Sequence, residues 1–199
     1  MRRLLRWTQR ALFACAVILL GYCAFVLVDG WIFQHRENHQ LAELVRVRQE
    51  TTEVGQTVSP ASPKSSPPVI DGLIGRMEIP RLGLSVIVME GTSSATLRRA
   101  AGHISGTALP GQPGNVGISA HRDTFFRPLR NIRRNDLITL TTALGEYRYR
   151  VVSTRVVSPQ DVAVLDPAGN QILTLVTCYP FYFIGAAPNR FIVRAERVV

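Results

Sequence analysis

Residues 11 to 28 carry no charged side chain, and nothing else in this chain restricts its fold as strongly. A helix needs about 20 apolar residues to cross a bilayer, with about 17 as the short end of the range. The run Ala11–Val28 therefore reads as a membrane-spanning helix. Arg2, Arg3, Arg6 and Arg10 precede it, and Asp29 is the first charge after it. Four arginines close before the run, against an aspartate just after it, predict a single pass through the cytoplasmic membrane, with residues 1–10 in the cytoplasm and the remainder outside. A cleaved signal peptide is the alternative. Against it, the run is long and no small-x-small cleavage site follows. Tyr22 stands before Cys23, where a lipoprotein signal needs a small residue, so Cys15 and Cys23 read as small apolar residues of the helix.

Beyond the anchor the chain changes character twice. Gln34–Glu53 is polar, with Leu41, Leu44, Val45 and Arg48 at helical spacing, and reads as a short amphipathic helix beside the membrane. Thr57–Pro68 is rich in Pro and Ser, a semi-extended spacer that cannot build a core. The expected division is 1–10, an anchor at 11–28, a juxtamembrane helix and linker at 29–69, and a domain at 70–199. That domain, of about 130 residues, is long enough for one core. The net charge is +9. From Ile70 onward, 15 Arg stand against 9 Asp and Glu, with no basic helix, zinc-finger spacing or RNP-like aromatic run. This balance reads as a solvated basic face and gives no ground for a nucleic-acid partner.

The domain reads as mostly β. Candidate strands are Arg76–Ile79, Leu84–Met89, Ala101–Ile104, Asn115–Ala120, Leu137–Thr141, Tyr147–Val157, Ile172–Cys178 and Arg190–Val198. Gly- and Pro-bearing turns separate them, among them Pro80–Gly83 and Pro110–Gly114. Short helices are expected around Ser94–Arg99 and Thr124–Arg130. Many short strands with regular turns suggest a closed barrel or a sandwich.

Cys178 is the one cysteine of this domain, and it ends the run Ile172–Cys178 just before Tyr179-Pro180. Cysteines outside the cytoplasm usually come in disulfide pairs. A lone one is either an inert buried hydrophobe or is kept for its chemistry. His121 also stands at a strand end, after Val116–Ala120, and Arg190 opens the last strand. Together they offer a thiolate that attacks a carbonyl, an imidazole that ionises the thiol and protonates a leaving amine, and a guanidinium that steadies the oxyanion. His103, between Gly102 and Ile104, reads as a surface or capping residue. Arg194 shares the face alternation of Arg190, so one of the two is expected to be only a strand charge.

These residues resemble the sortases, membrane-anchored cysteine transpeptidases of bacterial surfaces. Thr174–Cys178 fits the TLxTC signature around the family's nucleophile. Ser119–Asp123 fits the region of its His, and Pro188–Val193 the region of its Arg. Cys178–Phe181, with Gly185–Arg190, looks most like class D. The resemblance covers about Ile74–Val199. It implies an eight-stranded β-barrel with one or two short helices, preceded by the single transmembrane helix. It implies Cys178 as nucleophile, His121 as acid/base and Arg190 as the group that steadies substrate and oxyanion. The substrate would be a surface protein bearing an LPXTG-like sorting signal, cleaved after Thr. The acceptor would be an amine, from a peptidoglycan precursor or a protein lysine. Thr177 and Ala120 are expected beside the substrate. Val162, Val164 and Leu165 are the expected apolar contacts from Pro159–Gln171, the loop that cradles the signal. No cofactor is expected, and no metal, since Gly91–Gly114 lacks an acidic cluster.

Two other functions use the same residues. A cysteine hydrolase would pass the acyl group to water, and a non-catalytic anchored β-domain would keep Cys178 inert. The L,D-transpeptidases place their His close upstream of Ser-x-Gly-Cys. His121 and Cys178 lie far apart in sequence, and no Gly precedes the Cys, so that class fits poorly.

Overall fold

The computed structural model describes residues 2–53, 72–182 and 185–198. Helix α1 runs unbroken over Arg2–Glu53. Within it lies one stretch long and apolar enough to cross a membrane. The span and the juxtamembrane segment, expected as two units, are thus one helix. No proline interrupts Arg2–Glu53, and a lone Gly such as Gly30 costs a helix only about 1 kcal/mol. The Pro/Ser linker expected at Thr57–Pro68 lies outside the described residues.

Eight strands follow: β1 (Leu73–Ile79), β2 (Leu84–Glu90), β3 (Ala101–His103), β4 (Gly114–Ser119), β5 (Leu137–Thr142), β6 (Gly145–Val157), β7 (Gln171–Tyr179) and β8 (Asn189–Val198). They close into a barrel in the order β1-β2-β3-β4-β7-β8-β6-β5. The barrel, not the sandwich, is the form taken. Closure removes the unpaired edges that a sandwich leaves. Most neighbours are antiparallel, but β2–β3 and β4–β7 are parallel. A parallel pair needs a crossover, and for β2–β3 it is the short helix α2 (Ser94–Arg99). Ser93 caps α2, its Oγ accepting from Thr96 N at 3.1 Å. Alternate side chains of each strand fill the barrel, with Met77, Val86, Val116, Ile118, Ile138, Leu173, Leu175 and Val193 buried in one cluster.

Two local expectations change. The helix expected at Thr124–Arg130 is a 3₁₀ turn at Arg127–Asn131, with Pro128 in its first turn. Pro lacks the N–H that a regular helix would use and disfavours helical backbone in the residue before it. The turn at Pro80–Leu82 is as expected. It closes on Gly83, whose φ of 60° is the left-handed region that favours glycine.

Helix α1 does not leave the barrel standing free. Leu41 is buried with Leu73, Ile87 and Ala100, and Phe33, Val45 and Met89 pack around them. Gln34 Oε1 accepts from Ile87 N at 3.0 Å, and Gln34 Nε2 donates to Arg99 O at 2.6 Å. Ile87 lies one residue before β3 begins to pair with β2, so Gln34 satisfies an amide that the short β3 leaves unpaired. Asp29 bonds Arg99 at 2.8 Å, and Arg48 donates to Ala143 O at 3.2 Å. Contacts thus run from Asp29 to Arg48, about 28 Å of helix. They fall on β1, β2, α2 and the β5–β6 hairpin.

A second set of ties holds the turn after His121 to the barrel. Asp136, buried at the start of β5, accepts from Arg81 Nε, from Arg81 Nη2 at 2.6 Å and from Arg133 N at 2.7 Å. The hydrogen bonds from Arg81, helped by the one from Arg133, hold this carboxyl below the usual carboxylate range. A depressed folded value contributes stability that is present above about pH 4 and is lost as pH falls through the folded value. Asp136→Asn is expected to lower stability at neutral pH by about 1–2 kcal/mol, modest because Arg81 is half exposed. Thermal melts from pH 2 to 7 should show that difference shrinking in acid. An equal difference at every pH would refute the assignment.

Candidate active site

The pairing register brings distant residues together. In the parallel pair β4–β7, Ser119 lies beside Val176. Both chains continue alongside, since Ala120 N donates to Val176 O at 3.4 Å and Thr177 Oγ1 donates to Ala120 O at 2.8 Å. Two residues beyond the last pair come His121 on one chain and Cys178 on the other. In the antiparallel pair β7–β8, Cys178 lies opposite Arg190. The thiol therefore stands on the middle of three neighbouring strands, with the imidazole on one side and the guanidinium on the other.

Strand alternation decides the face. Val116, Ile118 and Ala120 of β4 and its extension, Leu173 and Leu175 of β7, and Val193 and Ala195 of β8 all point into the core. His121, Cys178 and Arg190 have the opposite parity, so they project from the outer wall. Their exposure agrees: His121 is exposed, and Cys178 and Arg190 are half-buried. In barrel order β4, β7 and β8 stand on the side away from β1, β2 and β5. The contacts given above for helix α1 fall on β1, β2, α2 and the β5–β6 hairpin, away from this wall.

Two loops border the wall. The β6–β7 connection carries a 3₁₀ turn at Val162–Leu165. Buried Asn115 pins it, donating to Val164 O at 3.1 Å and to Asp166 O at 3.4 Å, while Thr174 Oγ1 donates to Asn115 Oδ1 at 2.7 Å. Gly117 allows the close approach: a Cβ there would meet Leu165, Thr107 and Ile104 at 3.1–3.2 Å. The β7–β8 connection begins with a cis Tyr179–Pro180 bond. Arg190 Nη1 donates to Ala187 O in this connection at 3.3 Å and to Asn189 O, at the start of β8, at 3.1 Å. Beside it, Tyr179 and Phe191 stack with centroids 6.2 Å apart, and Phe181 meets them edge-on at 6.0 and 5.2 Å, with Phe181 and Phe191 packed against the core.

The other expected site residues fall in different places. Thr177 and Ala120 are both buried, and they face inward, joined through the Thr177 hydroxyl. Val164 is buried beneath its loop, Leu165 is half-buried against Gly117, and Val162 is 68% exposed. Arg194 sits opposite Thr174, four residues along β8 from the Cys178 neighbour. Of the two arginines, it is Arg190 that stands opposite Cys178.

His103 is a correction. It is buried, not a surface or capping residue. Its Nδ1 lies 2.7 Å from Glu90 Oε2, and its Nε2 lies 3.0 Å from both Ala108 O and Thr107 Oγ1. It lies opposite the core residue Ile118, on the inward side at the end of β3, and the following loop supplies its Thr107 and Ala108 partners, which no local pattern shows. Sequence reasoning also missed Asn115 and Arg122. Asn is depleted in strands, so Asn115 inside an otherwise apolar strand was a usable clue. Arg122 had none, because Arg is almost always exposed. Among the described residues, the three cysteines are free and no group of three His, Cys, Asp or Glu side chains gathers as a metal site.

A thiol with an imidazole on one side and a guanidinium on the other, on an open wall bordered by two pinned loops, is an arrangement suited to acyl transfer. Comparison with known proteins agrees. Residues 77–198 match the Sortase domain family. The chain is 29% identical to Sortase D of Bacillus subtilis (strain 168) over 187 residues, 93% of this chain and 94% of that protein. Among solved structures, a Clostridium perfringens Sortase D5 transpeptidase superposes with TM-score 0.59 at 29% identity, over 64% of this chain and 79% of that one. Sortase C of the same organism, solved with its C-terminal cell wall sorting motif, gives 0.59 at 29%, over 64% and 71%. With the family match spanning more than half of its length, this chain belongs to the sortases, cysteine transpeptidases, and its likeness runs to their class D branch.

Proposed function

We propose that this protein is anchored once in the cytoplasmic membrane of a bacterium, N-terminus inside, and that its barrel transfers surface proteins to an amine outside. The observation that carries the reading is the register that seats Cys178 between His121 and Arg190. The arginines before the apolar run and Asp29 after it support the orientation. The similar sortase C solved with a C-terminal cell wall sorting motif supports a sorting-signal substrate.

Cys178 Sγ, as thiolate, attacks the Thr carbonyl carbon of an LPXTG-like signal. Negative charge gathers on the carbonyl oxygen, where the Arg190 guanidinium donates hydrogen bonds. The tetrahedral intermediate collapses, the bond after Thr breaks, and protonated His121 gives its proton to the departing amine. A thioester remains on Cys178. An incoming amine, from a peptidoglycan precursor or a protein lysine, then attacks it. His121 takes the proton of that amine, and the thiolate leaves. Val162, Leu165 and the wall between β4 and β7 are the apolar surface offered to the Leu-Pro of the signal.

Full-length protein in detergent, incubated with LPXTG-type peptides with and without diglycine or hydroxylamine, tests this by mass spectrometry. The expected result is cleavage after Thr with the amine joined to the new end. Cleavage yielding only the acid, with amine present, would make the protein a hydrolase. No cleavage together with an unalkylatable Cys178 would leave an anchored binding domain.

A further inference from the structure

Arg122 is the one buried arginine among the described residues, at 5% exposure. A charge withdrawn from water persists only where its donors are matched. Its Nη1 donates to Pro180 O at 2.8 Å and its Nη2 to Gly185 O at 3.1 Å. Its Nε lies 3.4 Å from Asp123 Oδ1. Pro180 and Gly185 both belong to the β7–β8 connection, which leads from Cys178 to Arg190. The backbone of Arg122 belongs to the turn on the other side, directly after His121, whose carbonyl accepts from Phe126 N at 3.1 Å.

One guanidinium thus ties the imidazole's turn to the loop that joins the thiol to the cationic donor. The tie reaches further. The same loop supplies Ala187 O, which with Asn189 O, at the start of β8, accepts from Arg190 Nη1. Moving Pro180 and Gly185 moves the frame on which Arg190 rests. Resting on the proposed acyl-transfer reading, we infer that Arg122 is a positioning residue: it fixes the spacing of His121 from the Cys178–Arg190 pair and keeps the Arg190 guanidinium where the oxyanion forms. Arginine suits the task because its planar fork reaches two separate carbonyls at once, whereas lysine presents a single point charge.

The test uses full-length protein in detergent, the peptide-plus-diglycine assay, and the variants Arg122→Lys and Arg122→Ala. A misplacement of about 1 Å near reacting groups can cost about 100-fold in rate. Both variants are expected to lose about 10- to 100-fold in kcat, with KM held within about threefold. Guanidinium ion at tens of millimolar should restore part of the Arg122→Ala rate while leaving wild type unchanged. Melting curves run in parallel establish that the variants are folded at the assay temperature. If Arg122→Ala does not fold, Arg122→Lys alone decides. Wild-type kcat in a folded variant would overturn the inference. So would a loss of rate that follows only the folded fraction. Failure of the wild-type protein to act on any sorting peptide would instead reject the acyl-transfer reading beneath it.

Discussion

Alanine at Cys178 is expected to abolish cleavage and transfer, a loss of about 10⁴-fold or more, comparable to nucleophile removal in other acyl-transfer enzymes. The barrel has no substitute: Cys15 and Cys23 lie in helix α1, and the outward side chains next along β4 and β7 are Ser119 and Val176. No thioester can form, so mass spectrometry of protein trapped during turnover should show the acyl adduct on wild type and none on Cys178→Ala. Stability should change by less than about 1 kcal/mol, since the thiol is half-buried at a strand end and its loss opens no core cavity. A Cys178→Ala protein that still joins peptide to diglycine would remove Cys178 from the mechanism.

His121→Ala is the second large effect. General acid–base groups contribute typically about 10²–10⁴-fold, and the same range is expected here in kcat/KM. His121 serves twice in the proposed reaction, giving a proton to the leaving amine and taking one from the incoming amine. Both half-reactions should therefore slow. The side chain is exposed, so the folded state should lose less than about 0.5 kcal/mol. The double variant His121→Ala/Cys178→Ala should be no slower than Cys178→Ala, because the two groups act as one unit. Single-turnover kinetics would check this. A His121→Ala rate within about threefold of wild type in both half-reactions would sink the role.

The elements of this protein were written locally. The uncharged run Ala11–Val28 is one stretch of sequence, and only a helix suits it. The strands announced themselves through apolar alternation bounded by Gly and Pro, and all eight were found. The start of β1 drifted: it lies at Leu73, after Gly72, and not at Arg76, because Gly75 and the register shift beside it interrupt the alternation. Errors of kind came where tertiary contacts overrode local pattern. His103 looked like a surface residue because its inward side and the loop that supplies its partners are invisible to a strand-by-strand reading. Helix α1 was split at Asp29 because charge changes there, yet the backbone continues straight through and its far half lies along the barrel.

The candidate site divides the same way. Residue type and strand-end position marked Cys178, His121 and Arg190 as candidates, and the sortase resemblance of the segments around them supplied the expected roles. That the three meet depends on β4 lying parallel to β7, and β7 antiparallel to β8, in one particular register. A slip of one residue would turn Cys178 inward and Thr177 outward. Register follows from how every strand's apolar face packs into the closed barrel, a property of the whole domain that no single segment carries. The same holds for Arg122, whose burial exists only once the β7–β8 connection has folded across it. Hydrophobic period and turn chemistry act between neighbours along the chain. Pairing, burial and the aim of a guanidinium act between residues brought together by folding, and only the folded barrel decides them.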